Sequence, residues 1–280
     1  PQYRHGGADP RRATMTSFAL RGARVLLTGA SGGIGGAIAR RLAGEGAHVV
    51  LTGRRADILE ALAQEVGGEA VAADLASRAE VERLLEAAGQ IDVLIANAAL
   101  PGTGRLLKLE GPTIDRALEV NLRAPIALAH RLAPGMAARR HGHLVFIGSL
   151  SGKAATAGSS IYNASKFGLR GFALALRGEL AASGVGVSLV APGFVSESGM
   201  YATTEVKLPF YVATRTPAQV AAAVVVAIRE NRAEVDVASL TMRLGAGFAN
   251  LAPTLAARAS RALGGEQIAL EFERRQADKR

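Results

Sequence analysis

The chain has no cysteine and no tryptophan, and aromatic residues make up only 4% of its 280 positions. The absence of cysteine excludes disulfide bonds, thiolate catalysis and metal sites with cysteine ligands. It is compatible with a reducing cytoplasm, which is the location we expect. Because aromatic side chains are scarce, the core must be built from Ala, Val, Leu and Ile, a composition typical of parallel strands covered by alanine-rich helices.

The sequence also lacks long apolar runs and clustered charge. No apolar run reaches membrane-spanning length without an interrupting charge or turn residue. The net charge is +9, but the basic residues are interspersed with acids and lack aromatic stacking partners, so no nucleic-acid partner is predicted. The five histidines are scattered and predict no metal site. Residues 1–19 are predicted to form a flexible N-terminal extension.

Segments of strand and helix type alternate along most of the chain. The apolar pattern predicts strands at residues 24–28, 48–52, 69–73, 91–95, 143–148, 185–190 and 234–237. It predicts helices from the first glycine-rich turn to Gly44 and at residues 57–66, 78–88, 113–138, 161–182 and 217–230. This order is typical of right-handed βαβ units. We therefore predict an α/β fold with a Rossmann-type, doubly wound parallel sheet in three layers, forming a single domain at residues 20–238.

The glycine-rich turn after the first strand has the sequence of a phosphate site. Glycines let the backbone approach a pyrophosphate closely, and the free N–H groups at the start of the next helix point at its negative charge. Glycine spacing alone also occurs in ordinary turns. In a parallel sheet, however, ligands bind at the carboxyl ends of the strands, and polar or turn-forming residues follow every predicted strand up to the sixth. These include Gly53-Arg54-Arg55, Asp74-Leu75, Asn97, Ser149 and Pro192-Gly193.

Tyr162 and Lys166 lie four residues apart at the start of a predicted helix, so both side chains can reach one ligand. An ammonium beside a phenol stabilises the phenolate and lowers its pKa from the ordinary value of about 10, which would make Tyr162 a usable acid or base. Ser149 would add a hydroxyl that can bind a substrate oxygen. Taken separately, these residues could also be a surface pair and an ordinary turn serine.

Asn121 lies inside the predicted helix at residues 113–138, and Pro125 follows four residues later. Proline has no N–H, so the carbonyl of Asn121 is left without its usual helical partner. A water bound there could link the helix to Lys166 and give protons a route to solvent. A kink that only fits the helix to its neighbours is equally compatible with this spacing.

Together, these motifs resemble the short-chain dehydrogenase/reductase family, in the branch with compact single-domain subunits, over roughly residues 20–238. The resemblance implies a nicotinamide cofactor and a catalytic tetrad. Tyr162 would exchange the proton, Ser149 would bind the substrate oxygen, and Lys166 would bind the nicotinamide ribose and tune the tyrosine. Asn121 would hold the water relay. The implied cofactor site comprises Gly29, Ser31, Gly33, Ile34, Gly35, Arg54, Arg55, Asp74, Leu75, Asn97, Tyr162, Lys166, Pro192 and Gly193.

The end of the second strand indicates which cofactor is used. Sites for NAD generally place a carboxylate there to bind the ribose 2′-OH, whereas this chain has Arg54 and Arg55. A guanidinium would bind a 2′-phosphate, so NADP(H) is favoured over NAD(H). The alternative is that both arginines point into solvent. The chain also departs from the pattern of many NADP-binding relatives, which have a further basic residue where Gly32 and Gly33 stand. Asp74 resembles the family's adenine contact.

The loop at residues 193–216 is predicted to cover the site, and its bulky apolar side chains indicate a hydrophobic alcohol or carbonyl substrate. The bulky loop residues are Met200, Tyr201, Val206, Leu208, Phe210 and Tyr211. A loop that simply packs on the core is the alternative.

Residues 239–280 have the pattern of a basic amphipathic tail. We expect this tail to pack on its own or a neighbouring subunit rather than on a membrane surface.

The resemblance further suggests a homodimer or homotetramer joined through the two long helices, at faces that carry Ala127, Ala129, Ala173 and Ala175. We predict an NADP(H)-preferring oxidoreductase that transfers hydride between nicotinamide and a secondary alcohol or carbonyl substrate. The alternative is a catalytically silent dinucleotide-binding regulator or scaffold, attached to a membrane through its tail. Such a regulator would usually have lost part of the tetrad, and all four residues are present.

Overall fold

The computed structural model describes residues 18–196 and 213–262. Within these ranges, seven strands form one sheet in the order β3-β2-β1-β4-β5-β6-β7, and every neighbouring pair is parallel. The order reverses direction at β1, which places a crevice for ligands between the ends of β1 and β4. The strands are β1 (Arg24–Thr28), β2 (His48–Gly53), β3 (Glu69–Ala72), β4 (Val93–Ala96), β5 (Gly142–Ile147), β6 (Val185–Pro192) and β7 (Glu234–Val237).

Helices cover both faces of the sheet. The described helices are α1 (Gly33–Gly44), α2 (Ala56–Val66), α3 (Arg78–Ala88), α4 (Gly111–Leu118), α5 (Ala124–Ala138), α6 (Ser160–Leu180), α7 (Pro217–Arg229), α8 (Leu240–Leu251) and α9 (Pro253–Ala262). Alternate strand residues face opposite layers: Val25 and Leu27 pack with α1, α2 and α7, whereas Leu26 packs with α3, α5 and α6. The predicted fold class, a doubly wound parallel sheet in three layers, is confirmed.

The predicted continuous helix at residues 113–138 is wrong in one respect. The segment consists of α4, a single π-helical turn at Glu119–Arg123, and α5. Within the π turn the Ala124 N–H bonds to the carbonyl of Glu119, five residues back. Pro125 lies in the first turn of α5 and has no N–H to continue the ordinary ladder, which accounts for a change of hydrogen-bond register at this point.

Two of the four alanines expected between subunits are placed in the core instead, whereas Ala127 is half-buried and Ala175 is exposed. Ala129 and Ala173 are 1% and 2% exposed and belong to the chain's own core. The two helices instead use these small residues to pack closely on the sheet. On α6 the outward side carries Phe167 and Leu174, which are 38% and 37% exposed.

A buried histidine in β5 is expected to make stability depend on pH. His143 is 1% exposed, and its Nε2 lies 2.9 Å from the Ser188 hydroxyl. Burial, assisted by the positive charge of Arg177, lowers the pKa of His143 to about 3. The unfolded chain, with a histidine pKa near 6.5, therefore binds the proton first, and stability falls as the pH drops below that value.

We expect the free energy of unfolding to decrease by about 2 kcal/mol between roughly pH 7 and pH 5 through this one group. Urea denaturation at both pH values checks it, and the change should be absent in His143→Gln, whose amide can still bond to Ser188. If the free energy of unfolding of His143→Gln depended on pH as strongly as that of the wild type, the effect would belong to other titratable groups.

Candidate active site

A cavity of about 530 Å³ opens along the carboxyl edge of the sheet. Of the sequence-predicted site residues, only Asn121 is outside its lining; Asn121 lies behind the wall, 1% exposed. The structure thus brings together residues from the ends of six strands, as the order of motifs predicts. The predicted residues that line the cavity are Gly29, Ser31, Gly33, Ile34, Gly35, Arg54, Arg55, Asp74, Leu75, Asn97, Ser149, Tyr162, Lys166, Pro192 and Gly193.

The glycine-rich turn fits a dinucleotide pyrophosphate. Gly29 has a φ of +66°, and a Cβ there would lie 2.7 Å from the Cα of Ala98. A Cβ on Gly35 would overlap the carbonyl oxygen of Gly29 and lie 2.7 Å from the Cα of Ala30. Gly32 is the N-cap residue of α1 and has no side chain, so it supplies no side-chain oxygen to accept hydrogen bonds from the first N–H groups of the helix. An anion such as a pyrophosphate suits this helix start.

Hydrogen bonds from β4 fix the start of this turn. The Thr28 hydroxyl accepts from the N–H groups of Asn97 and Ala98, both at 3.0 Å. The Asn97 amide nitrogen donates to the carbonyl oxygens of Thr28 at 2.9 Å and Gly29 at 3.2 Å. The side chain of Asn97 therefore holds two strand ends together at the floor of the cavity.

Arginines surround the far end of the cavity. Arg54 lines it at the end of β2, and the Arg55 guanidinium donates to the carbonyl of Ser31 in the glycine turn. Arg116 of α4, which the sequence analysis missed, donates to Asp74 at 2.6 Å. Burial opposes ionisation of Asp74, but a bond from a backbone N–H and the pairing with Arg116 outweigh it and lower the carboxyl pKa. Asp74 is thus held as a carboxylate at the predicted adenine end.

Ser149, Tyr162 and Lys166 meet beside the end of β5. The Lys166 ammonium donates to the carbonyl of Ile147, the last residue of β5, at 2.9 Å. It also lies 5.7 Å from the centroid of the Tyr162 ring. Tyr162 and Lys166 are 9% and 2% exposed, so both groups are held away from bulk water. Ser149, two residues beyond β5, accepts from the Ser151 N–H at 3.1 Å, and its hydroxyl lies close enough to the Tyr162 phenol to influence the phenol pKa.

The predicted direction of the tyrosine pKa is wrong for this structure. Burial raises the pKa of Tyr162 to about 12, and the Ser149 hydroxyl opposes this rise only in part. Burial also lowers the pKa of Lys166 to about 8. Desolvation, which a sequence does not display, exceeds the expected effect of the ammonium. Tyr162 is therefore a protonated phenol at neutral pH, the form that can donate a proton.

Asn121 holds the chain that follows β4. Its side-chain oxygen accepts from the Leu100 N–H at 2.6 Å, and its amide nitrogen donates to the Leu100 carbonyl at 2.8 Å. The residue sits in the π turn, where the backbone ladder changes register. The bound water and its link to Lys166 stay a prediction.

Asn163 lies behind the site and supports it, and no sequence motif predicts this role. It follows Tyr162 and is 5% exposed. Its amide nitrogen donates to the carbonyl oxygens of Ser151 at 2.8 Å and Ala154 at 3.2 Å, while its oxygen accepts from the Thr156 N–H at 3.2 Å. This side chain fixes the segment between β5 and α6. The only signal in the sequence is an amide directly after the tyrosine.

The first end of the predicted substrate loop lies at the cavity, where Gly193 and Val195 form part of its lining. The other end is tied to the first by a hydrogen bond from the Arg215 N–H to the Phe194 carbonyl. The six bulky loop residues from Met200 to Tyr211 lie outside the described residues. The tail contributes one lining residue that was not predicted, Met242 of α8. Its side chain packs against Gly193, where an added Cβ would lie 3.1 Å from the Met242 Cε.

The doubly wound sheet, the pyrophosphate cradle and the buried tyrosine–lysine pair define a nicotinamide-dependent oxidoreductase. A family model described as short chain dehydrogenase matches residues 23–208. The chain belongs to this family, and the resemblance seen in the sequence is confirmed.

One curated relative is the ketoacyl reductase HetN of Nostoc sp., which is 38% identical over 276 residues, covering 93% of this chain and 94% of the relative. A short-chain dehydrogenase from Sphingobium yanoikuyae, solved in complex with NADPH, is 30% identical with a TM-score of 0.72, covering 84% of this chain and 95% of that chain. A 3-ketoacyl-(acyl-carrier-protein) reductase from Brucella melitensis, solved with NADH, is 26% identical with a TM-score of 0.70, covering 78% of this chain and 97% of that chain.

Proposed function

We propose that the protein is an NADP(H)-preferring oxidoreductase that interconverts a ketone and a secondary alcohol on an acyl chain. This proposal rests on one observation. Ser149 and the buried pair Tyr162 and Lys166 line the same cavity as the glycine-rich turn. The ketoacyl reductase activity named for HetN, and for the neighbour from Brucella, supports an acyl ketone as substrate. The apolar residues of the predicted substrate loop support a hydrophobic chain.

The nicotinamide, when bound, supplies or accepts the hydride. In the direction of reduction, the Tyr162 hydroxyl donates its proton to the carbonyl oxygen of the substrate. The Ser149 hydroxyl donates a hydrogen bond to the same oxygen and holds it beside the phenol. Lys166 stabilises the resulting phenolate with its positive charge and binds the cofactor ribose. Asn121 fixes the neighbouring wall and, through its backbone, the proposed water route. In oxidation, the phenolate takes the proton back.

Arg54 and Arg55 support the preference for NADP(H), because guanidinium groups bind a 2′-phosphate and the end of β2 carries no carboxylate. The neighbours include one complex with NADPH and one with NADH. Since Arg55 already bonds to the glycine turn, Arg54 is the arginine that we assign to the phosphate.

Arg54→Ala is expected to raise the Kd for NADPH by roughly ten- to a hundredfold, because a charge-assisted hydrogen bond to the 2′-phosphate is lost. The Kd for NADH should change by less than about threefold. Fluorescence titration with each cofactor measures both values. Arg83→Ala removes the same charge from the exposed side of α3, outside the cavity, and serves as the control. Equal losses for NADPH and NADH would refute the phosphate role.

Oxidation of NADPH in the presence of a substrate panel tests the reaction itself. The panel contains a 3-ketoacyl thioester and small aliphatic and aromatic ketones, each with NADPH and with NADH. We expect the highest kcat/KM with the thioester and NADPH. Tight NADPH binding without turnover of any ketone would instead support the silent regulator.

For the oligomer, we propose a homodimer or homotetramer that uses the outward side of α6. Phe167 and Leu174 give that side its exposed apolar surface. The inward-facing Ala129 and Ala173 do not take part.

A further inference from the structure

Helix α8 carries its large apolar side chains on the outside. On its inner face, Ala246 is 5% exposed and packs with Leu150 and Ala238. On its outer face, Leu244 and Phe248 are 65% and 49% exposed. Surface helices of globular proteins show the opposite arrangement, in which the large apolar residues face the core.

Four of the exposed apolar side chains lie on one face of α8. Spacings of four, four and three residues place the members in α8 on a single helical face, and α9 adds one more exposed leucine. Contiguous apolar surface of this kind marks an interaction site. We name it the outer stripe; it consists of Leu240, Leu244, Phe248, Leu251 and Leu255.

All the charged residues of α8 and α9 are arginines. From residue 237 to residue 265 the sequence has three arginines and no aspartate or glutamate, whereas acids and bases mix through the rest of the chain. Arg243 and Arg258 are exposed on the two helices of the stripe. An apolar face on helices that carry arginines and no acid is complementary to a bilayer that contains anionic lipids.

We propose that α8 and α9 dock on the surface of a membrane that contains anionic lipids. The outer stripe enters the boundary between head groups and acyl chains, and Arg243 and Arg258 bind the head groups. Within residues 18–196 and 213–262, no helix is long and apolar enough to cross a membrane. Because Met242 on the same helix lines the cavity, docking brings the cavity next to the lipid surface.

A second copy of the chain fits the outer stripe less well. In a two-fold contact the same patch meets itself, so the arginines of both copies would be brought together. The segment has no acid to pair with them. The outward side of α6, which we assigned to self-association, is a separate surface.

Co-sedimentation of the full chain with lipid vesicles tests this proposal without any substrate. One set of vesicles contains phosphatidylcholine alone, and the other contains equal parts of phosphatidylcholine and phosphatidylglycerol. We expect strong binding to the anionic vesicles, weaker binding to the neutral ones, and release by salt. The double variant Leu244→Ser with Phe248→Ser should lower the partition coefficient onto both kinds of vesicle by about tenfold or more. Arg243→Gln with Arg258→Gln should lower it about tenfold or more for anionic vesicles only.

The matched control is Leu106→Ser with Leu107→Ser, which removes two leucines that are 54% and 99% exposed but lie outside α8 and α9. It should bind vesicles like the wild type. All replaced side chains are exposed, and thermal unfolding verifies that each variant is folded. The proposal is overturned if the wild type binds neither vesicle, or if the control loses as much binding as the stripe variant. It is equally overturned if the stripe variant changes the oligomeric state in light scattering and leaves vesicle binding intact, since a second copy would then be the occupant.

Discussion

Tyr162→Phe is expected to reduce kcat by about a hundred- to ten-thousandfold while the Kd for NADPH changes by less than about threefold. The phenol is the only group in the proposed mechanism that donates the proton, and phenylalanine cannot replace it. The ring keeps its place in the buried site, so removal of the hydroxyl should change the free energy of unfolding by no more than about 1 kcal/mol.

Steady-state kinetics with NADPH and the best ketone of the panel, together with a cofactor titration, measure these two effects separately. Tyr3→Phe, in the predicted N-terminal extension, removes a phenol from the same chain and should leave both values unchanged. Unchanged turnover in Tyr162→Phe would rule out the proposed role of the phenol.

Gly35→Ala is expected to have the largest effect on cofactor binding. The new Cβ would overlap the Gly29 carbonyl and press on the Cα of Ala30, and both contacts are with backbone that cannot rotate away. The turn must therefore open, which breaks the pyrophosphate cradle. We expect the Kd for NADPH to rise roughly ten- to a hundredfold, and the free energy of unfolding to fall by about 2 kcal/mol. Isothermal titration and urea denaturation measure the two quantities.

The neighbouring glycine supplies the matched control. A Cβ on Gly36 would lie 3.1 Å from the end of the flexible Arg40 side chain, which can move, and alanine favours the helix. Gly36→Ala should therefore keep both NADPH binding and stability. If Gly35→Ala bound NADPH as tightly as Gly36→Ala, the glycine turn would not be the pyrophosphate site.

The glycine turn, the strand ends and the tyrosine–lysine pair could be predicted from the sequence because their signals are local. Each is a short spacing of residues, and the βαβ order then dictates that all of them meet on one edge of the sheet. This is why Arg54, Ser149 and Lys166 lie in the same cavity although they are far apart in the chain.

The features that could not be predicted depend on burial and on partners distant in sequence. The raised pKa of Tyr162 comes from desolvation, and the hydrogen bonds of Asn163 depend on a loop conformation that no residue pattern specifies. Likewise, Pro125 signalled a disturbed helix, but not that the disturbance is a π turn. In the tail, the amphipathic pattern was visible, yet only the packing of Ala246 shows that the leucines face outward.

Transfer of deuterium from NADPH labelled at the reactive carbon of its nicotinamide tests the proposed hydride transfer. With a 3-ketoacyl thioester as substrate, we expect the deuterium on the carbon bearing the new hydroxyl, detected by mass spectrometry and NMR. The label should be absent from the product carbon when Tyr162→Phe is assayed for the same time. Conversion of the ketone without the label at that carbon, or no conversion by the folded wild-type protein with any ketone, would rule out the proposed reaction.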